Sequence, residues 1–397
     1  MLRLKDTRHQ NTASFLQSAI RIAEYYGFKP LENAPRKDPV TLRQIRERAS
    51  KNETEISFAR KEERPLAVSG KRCALSLRGQ DESLLLWRTV SDFSSNIPHA
   101  SLELHVVGTS SSIAEALLIV VANSIAEEAG LGERILSINN IGSNESSTRF
   151  VRDVASYLRR HIESISPTLR PRAAIDPLGT LIALIERGHP ATPRAPQSME
   201  YLTEEERRKF WNLLEYLEVY GLPYELSPNV LGSRDCWAHT LYQISVIDPE
   251  SGSRMPIAFG GRYDPLAARF AASPTAAAVI SITCEIRGRV RPKRETPGIP
   301  SLYFAHLGPE ARRRSLAVLE KLRITGIPVH HGLCIERIGE QMMAARHLAP
   351  PYILIMGHKE AVEGAIIVRE ASTNSQEVVS ISDLPNYLKR KRLLTVA

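Results

Sequence analysis

The stretch APQSMEYLTEEERRKFWNLLEYLEVYGLPYELSPNVLGSRDCWAHTLY, residues 195–242, decides the fold of the larger part of the chain. It predicts a helix that begins at Thr203, because Thr203 and Glu206 have the spacing of a capping box. Gly221 is a stop signal at the other end. The apolar side chains in between recur at helical spacing and predict one buried stripe, formed by Phe210, Leu213, Leu214, Leu217 and Tyr220.

Outward from this helix, the pattern predicts further helices and strands. Residues 241–247 and 255–259 predict the two strands of a hairpin. Upstream, the predicted elements are helices at 13–26 and 112–129, a strand at 134–141, and a helix after a turn at 142–147. Residues 36–64 are polar and predict a surface loop or partial disorder. Proline and glycine punctuate residues 166–198, which predict a connecting or inserted segment.

The pattern changes after a basic, proline-rich linker at residues 290–300. Strands and helices then alternate, at 301–305, 309–324, 327–331, 338–348, 352–356, 365–368 and 377–381. This order predicts a small, separate α/β domain with mostly parallel strands. We therefore expect two domains, residues 1–298 and 299–397, of which the second folds alone.

Composition indicates a soluble protein with an anionic partner. Hydrophobic residues make up 43% of the 397 residues and charged residues 24%, and the net charge is +8. A basic balance favours nucleic acid, although many basic proteins bind none. We expect no membrane span and no secretory signal, and hence a cytoplasmic protein. The widely spaced cysteines predict reduced thiols and no zinc site: Cys73, Cys236, Cys284 and Cys334.

Several segments resemble histidyl-tRNA synthetases in order and spacing. They are the turn GLPYELSP at 221–228, FGGRYD at 259–264, INNIGS at 138–143, and residues 301–388, which resemble the family's anticodon-binding domain. The resemblance implies an α+β, class II synthetase-like fold. That fold is an antiparallel sheet flanked by helices, with the C-terminal α/β domain appended. It also implies a homodimer, because the first helix and residues 27–35 resemble the family's dimer-forming motif, in which a proline packs at the two-fold axis; Pro35 is the candidate.

The resemblance also implies ATP chemistry, and the chain departs from it at three cationic contacts. Histidine activation builds negative charge on phosphates, which arginines and magnesium stabilise. The strand–loop–strand before residue 98 lacks the Arg-x-Glu signature. Gly232 stands where the second arginine is expected, although Arg234 two residues on could partly substitute, and Ile286 stands at the third. Val and Ile replace glycines in the strand 278–286, which we expect to close the pocket.

We therefore expect no catalytic residues, and ATP and Mg²⁺ as cofactors only if ligase activity survives. A residual ligand pocket is predicted from the motif residues Asp235, Trp237, Gly260, Gly261, Arg262, Tyr263, Asp264 and Glu285. The alternative is that residues 260–264 form only a tight turn and that Trp237 belongs to the core.

RNA binding is predicted for a basic helix, a helix start and the basic tail, through Arg312, Arg313, Lys321, Arg323, Gln341, Lys389 and Arg390. The alternative is a solvated charged face. The expected function is a non-catalytic, histidyl-tRNA synthetase-like protein that binds tRNA or another RNA, or a protein partner. Two alternatives stay open. One is a divergent, active histidine–tRNA ligase. The other resembles the regulatory subunit of ATP phosphoribosyltransferase, which normally lacks the C-terminal domain. The accessory subunit of mitochondrial DNA polymerase has the same two-domain plan and shows that this architecture can serve without aminoacylation, but nothing in this sequence points to it.

Overall fold

The structure is a computed structural model, and it describes residues 1–34, 43, 58, 63–76, 83–93, 97–248, 250–271, 274–293 and 301–391. The α-helices of these residues are α1 (Thr12–Tyr25), α2 (Glu63–Ser76), α3 (Ile113–Glu128), α4 (Asn144–Arg160), α5 (Arg170–Ile175), α6 (Pro177–Glu186), α7 (Glu204–Tyr220), α8 (Asp264–Phe270), α9 (Pro309–Ile324), α10 (Ile338–Leu348), α11 (His358–Glu363) and α12 (Leu384–Arg390).

The strands are β1 (Lys29–Pro30), β2 (Leu84–Asp92), β3 (His99–Val107), β4 (Arg134–Asn140), β5 (Tyr224–Leu226), β6 (Ala238–Ile247), β7 (Arg254–Arg262), β8 (Ala277–Glu285), β9 (Leu302–His306), β10 (Val329–His331), β11 (Tyr352–Met356), β12 (Ala365–Glu370) and β13 (Gln376–Ser380). Pro35, most of the polar segment 36–64 and the predicted domain boundary at 298 lie outside the described residues.

Eight strands form one sheet in the order β1-β2-β3-β8-β7-β6-β4-β5, and the six central strands are antiparallel neighbours. Alternation along β3 gives this sheet two different faces. Leu102 and Leu104 point to what we call the back face, whose core includes α1, α3 and α7. The front face is the side of Glu103 and His105, and its core includes α2, α4, α6 and α8. The predicted antiparallel sheet flanked by helices is confirmed.

The helix that opened the sequence argument is confirmed as α7. Thr203 Oγ1 accepts from the backbone N–H of Glu206, and a Glu206 carboxylate oxygen accepts from the N–H of Thr203 at 2.8 Å. Gly221 ends the helix with φ = 85°, a left-handed conformation that costs glycine little. Glu206 also accepts from Ser143, so one carboxylate caps both α7 and α4.

Residues 166–198, which the sequence predicts to be a connecting or inserted segment, contain two α-helices. These are α5 and α6, whose apolar side chains join the front core against α4. Asp176 caps α6 by accepting from Gly179 N–H at 2.9 Å. The proline and glycine residues were misleading, because Pro171 and Pro177 occupy first-turn positions where a missing N–H costs nothing.

The C-terminal residues form a second, five-stranded sheet in the order β10-β9-β11-β12-β13. β10, β9 and β11 are parallel, as predicted, whereas β12 and β13 extend the sheet antiparallel. The expectation of mostly parallel strands is therefore right for the first three strands only.

This C-terminal part is a distinct sheet, but it is not set apart from the rest. The Tyr25 hydroxyl donates to the backbone carbonyls of Leu319 and Ile327, and the Tyr26 hydroxyl donates to Glu320. The back core continues without a break from α1 and α7 into α9. One wall of the C-terminal core is therefore supplied by α1 and α7, and the independent folding of residues 299–397 stays a prediction.

Candidate functional site

Most of the motif residues lie around the end of β7. Arg262 is on the back side of the sheet, because it pairs with Ala278 of β8 and with Glu115 of α3. Its side chain is 3% exposed and meets both carboxylate oxygens of Glu115 at 2.8 Å. It also donates to the carbonyls of Thr109 and Ser111 at 3.2 and 3.1 Å. These contacts use four of the five guanidinium N–H donors. Burial opposes the charged form, but Glu115 and Asp264 together outweigh it and raise the pKa of Arg262.

Tyr263 is fully buried and belongs to a polar network beneath α2. Its hydroxyl lies 3.0 Å from Nδ1 of His105, whose Nε2 lies 3.5 Å from a Glu103 oxygen. Ser69 of α2 donates to the same carboxylate, and the Cys73 thiol faces His105 and Tyr263. Although burial disfavours imidazolium, Cys73 and Glu103 raise the pKa of His105 to about 10. Tyr263, a predicted pocket residue, is therefore fixed by contacts with side chains of its own chain.

Trp237 lies over Gly232, the position at which the resemblance placed an arginine. A Cβ on Gly232 would lie 2.4 Å from the indole ring, so any larger residue requires Trp237 to move. The indole N–H donates to Glu63 of α2 at 2.9 Å, and the ring packs edge-on against Phe259. Arg234 is directed elsewhere, with its guanidinium 3.4 Å from the side-chain oxygen of Asn144. It therefore does not replace the missing arginine beside Trp237.

The other acidic pocket candidates also have partners within the chain. Asp235 pairs with Arg269 at 2.9 Å, and Asp264 accepts from the backbone N–H of Ala277 at 2.7 Å. Glu285 lies at the far end of β8, where it accepts from the backbone N–H of Leu4. Seven residues separate Glu285 from Ala278, the partner of Arg262, which is about 23 Å along a strand. Glu285 is thus not part of one pocket with Arg262.

Gly260 and Gly261 lie in strand β7, where the sheet leaves no room for a side chain. A Cβ on Gly260 would lie 2.1 Å from the carbonyl oxygen of Val279, and one on Gly261 2.5 Å from that of Thr240. Both glycines are therefore required by the close approach of neighbouring strands. They form part of a strand rather than a tight turn, and their role in lining a pocket stays a prediction.

The expected closure of the pocket by β8 is correct for one residue only. Alternation sends Ile280 and Ile282 into the back core, and Val279 alone of these joins the front core. Ile286, at the position of the third arginine, also packs against the back core. The apolar character of β8 therefore mainly reflects the core behind it.

The segment before residue 98, from which the sequence predicts that the ATP-binding loop has been deleted, is a direct hairpin. β2 and β3 pair in register as far as Asp92 and His99, so only residues 93–98 connect them. Arg88 on β2 was overlooked in the sequence. It lies opposite Glu103 and donates to Ser69 Oγ at 2.9 Å. This arginine is engaged with α2.

In the C-terminal part, the structure gives most predicted RNA-binding side chains partners within the chain. Arg312 donates to the Leu333 carbonyl and pairs with Glu336 at 3.2 Å. The remaining contacts are Arg313 with Glu310 and Glu215, Lys321 with the Ile381 carbonyl, and Arg323 with Glu320. These four cations mainly join α9 to its surroundings.

Gln341 is fully buried, so its predicted contact with RNA is wrong. Its amide accepts from the backbone N–H of His306 and donates to the carbonyls of His306 and Ile335, at 2.9 to 3.0 Å. It joins α10 to the end of β9. Lys389 and Arg390 are exposed at the end of α12, and they are the predicted RNA-binding cations that face solvent most openly.

The carboxylates that neutralise this site were not predicted from the sequence. Glu115 had a visible signal, because it is the single charge at the start of an apolar helix. Such a carboxylate needs a buried cation, and Arg262 supplies it. Glu63 and Glu103 carried no comparable signal, because their neighbours come from distant parts of the chain.

The sequence of this chain is similar to those of several known proteins. Residues 303–391 match the anticodon binding domain family. A histidine–tRNA ligase of Shouchella clausii is 27% identical over 72% of this chain and 68% of its own length, and that of Bacillus subtilis is 28% identical over the same shares. Apo histidyl-tRNA synthetase from S. aureus aligns over 95% of both chains, with 17% identity and a TM-score of 0.48.

Among the residues that the structure describes, none of the helices has the length and apolar character needed to cross a membrane. The chain is thus similar to histidine–tRNA ligases over about 72% of its length, and its C-terminal residues 303–391 match the anticodon binding domain family.

Proposed function

We propose that this protein is a non-catalytic histidyl-tRNA synthetase-like protein that binds tRNA through its C-terminal domain. The single observation that carries the proposal is the state of Arg262. A guanidinium that already makes four hydrogen bonds and a buried ion pair has too few donors left to stabilise a triphosphate.

Two motif residues of the front core, Tyr263 and Trp237, support the same conclusion. The hydroxyl of Tyr263 meets the chain's own imidazole at His105, and Trp237 covers Gly232. A ligand that needed these groups would have to break existing buried contacts, each of which costs about 1–3 kcal/mol when left unmatched. Phosphoryl chemistry relies on cations that are free to meet developing charge.

The RNA part of the proposal is supported by the matched domain and by charge. Residues 303–391 match an anticodon binding domain, and the relatives are histidine–tRNA ligases. Lys389 and Arg390 are exposed cations within that domain. Phosphate contacts of this kind give modest affinity that decreases steeply with salt.

The test measures both halves of the proposal on one sample of the full chain. Histidine-dependent exchange of pyrophosphate into ATP is assayed beside the Bacillus subtilis ligase as a positive control. Binding of a histidine tRNA transcript is followed by fluorescence anisotropy across a salt series. We expect no exchange, and tRNA binding that is strong only at low salt. Robust histidine-specific exchange would restore the ligase reading, and absence of tRNA binding even at low salt would favour a regulatory role.

We also propose a homodimer formed through the N-terminal domain, on the family resemblance of the first helix. Light scattering at micromolar concentration should give twice the mass of the chain. A monomeric mass would overturn this part of the proposal without affecting the rest.

A further inference from the structure

The exposed side of α4 carries four arginines that the candidate site does not use. Arg149, Arg152, Arg159 and Arg160 fall on one side of the helix and are exposed, and we call them the α4 arginine stripe. The opposite side, with Phe150 among others, packs into the front core. At 1.5 Å per residue the stripe extends about 16 Å along the helix.

The stripe is weakly neutralised by its neighbours. Asp153 lies 3.6 Å from Nε of Arg152 and also accepts from the Tyr201 hydroxyl. Within the described part of the chain, Arg159 and Arg160 donate to groups of their own helix alone, namely the Ala155 carbonyl and the hydroxyl and carbonyl of Ser156, at 3.2 to 3.4 Å. Arg149 is partly structural, because it donates to the Tyr201 carbonyl at 2.9 Å. Glu145 and Glu163 flank the two ends of the stripe.

Two functions of such a stripe are ordinary. Arginines in the last turn of a helix interact favourably with its dipole, for about 0.3–1 kcal/mol. They also keep a surface soluble. Neither effect requires four arginines on one side of the helix. The dipole also does not explain Arg149, near the start of α4, or Arg152, near its middle.

The composition of the surface favours a nucleic acid over a protein partner. Protein interfaces depend on apolar or aromatic anchors. Among the described residues the exposed large hydrophobic side chains include Trp211 on α7, and none of them lies on α4. A row of exposed guanidiniums with no apolar anchor instead suits a phosphate backbone, which guanidinium groups can contact bidentately.

We propose that the α4 arginine stripe is a second RNA contact, which binds the phosphate backbone of the same tRNA outside its anticodon stem–loop. The inference rests on the proposed tRNA-binding function, since it adds a contact to that complex. The exposed side of α4 would then bind RNA without any need for a catalytic pocket.

The test compares two matched pairs of arginines in the full chain. Arg159→Gln/Arg160→Gln removes two cations from the stripe. Arg207→Gln/Arg208→Gln removes two adjacent, exposed arginines from α7, a helix of the same 17-residue length that packs on the back face. Arg159→Lys/Arg160→Lys keeps the charge. The two probes are a full-length histidine tRNA transcript and its isolated anticodon stem–loop.

We expect the α4 double variant to bind full-length tRNA about five- to tenfold more weakly at about 0.1 M salt. The slope of log affinity against log salt should decrease by about 1–2, because two phosphate contacts are lost. Stem–loop binding should not change, and the lysine pair should retain most of the tRNA affinity. Circular dichroism and thermal unfolding check that α4 remains folded in each variant.

Each other outcome has a distinct meaning. Equal losses in the α4 and α7 variants would show only general electrostatic attraction and would overturn the inference. Unchanged tRNA affinity in the α4 variant would also overturn it, while leaving the proposed function intact. If the unmodified protein binds neither the tRNA nor the stem–loop, the proposed function fails first.

Discussion

The end of strand β7 and the outer side of α4 both carry arginines, and these arginines have opposite surroundings. Arg262 is buried and paired with Glu115, whereas Arg159 and Arg160 are exposed and, among the described residues, form hydrogen bonds to their own helix alone. The motif that looks most like a catalytic remnant therefore contributes to stability. The helix with no recognisable motif has the freer cations. Burial and partners, rather than the motif, decide what an arginine can do here.

Arg262→Met should produce the largest effect on stability. The substitution leaves the Glu115 carboxylate buried without a cation, which costs about 3–5 kcal/mol. Urea unfolding followed by circular dichroism measures the change. The double variant Arg262→Met/Glu115→Leu should recover a large part of the loss, because no buried charge remains. A loss below about 1 kcal/mol would mean that the Arg262–Glu115 pair is solvated, and it would contradict the contrast between Arg262 and the exposed arginines of α4.

His105→Gln should cost about 2–3 kcal/mol near neutral pH, and the cost should depend on pH. The folded-state pKa of His105 is raised to about 10 from a usual value of 6.5. Its stabilising effect is therefore complete below pH 6.5 and is lost as pH rises through about 10. Unfolding free energies of both proteins across this range give the difference. A difference that grew with pH would contradict the assignment of an imidazolium beside Glu103.

The fold was largely predictable from local pattern, and the site was not. α9, α10 and β11 match their predicted bounds residue for residue, because periodicity, proline and glycine mark them. The sequence also contained the signal for the capping box of α7. What it could not show is which polar side of a helix another element covers. The cations of α9 looked solvated, yet α7 and the loop after β10 lie against them.

Gln341 and Arg262 illustrate the same limit. Each lies within a motif that resembles a functional segment, and each is buried by residues far away in sequence. Glu115 is 147 residues from Arg262, and His306 is 35 residues from Gln341. Contacts at such separations are set by tertiary packing, which a single sequence does not display.

Tyr26→Phe should have an intermediate effect, at the junction of the two parts. It removes the hydroxyl that donates to Glu320 and should cost about 1–1.5 kcal/mol. Tyr387→Phe is the control, because its hydroxyl bonds to Glu377 at an exposed site and should cost less than about 0.5 kcal/mol. Calorimetry of the full chain should show one transition in all three proteins. Two separate transitions, together with a silent Tyr26→Phe, would show that the C-terminal part is an independent module.

The smallest change in stability is expected for Lys389→Gln/Arg390→Gln, and its effect on RNA should be the clearest in the C-terminal domain. Both side chains are exposed, so the free energy of unfolding should change by less than about 0.5 kcal/mol. The affinity for an anticodon stem–loop should nevertheless decrease several-fold, with a salt slope smaller by about 1–2.

Arg323→Gln is the informative contrast to that pair. Its guanidinium is bound to Glu320 on both oxygens and lies near Glu128, so its removal should lower stability before it affects RNA. Anisotropy and urea unfolding on the same preparations separate the two effects. If Arg323→Gln weakened stem–loop binding at unchanged stability and the Lys389/Arg390 pair did not, RNA would have to displace the ion pairs of α9. A structure of the complex with RNA, rather than of the unbound chain, would then be needed to decide which cations bind RNA and which stay in ion pairs.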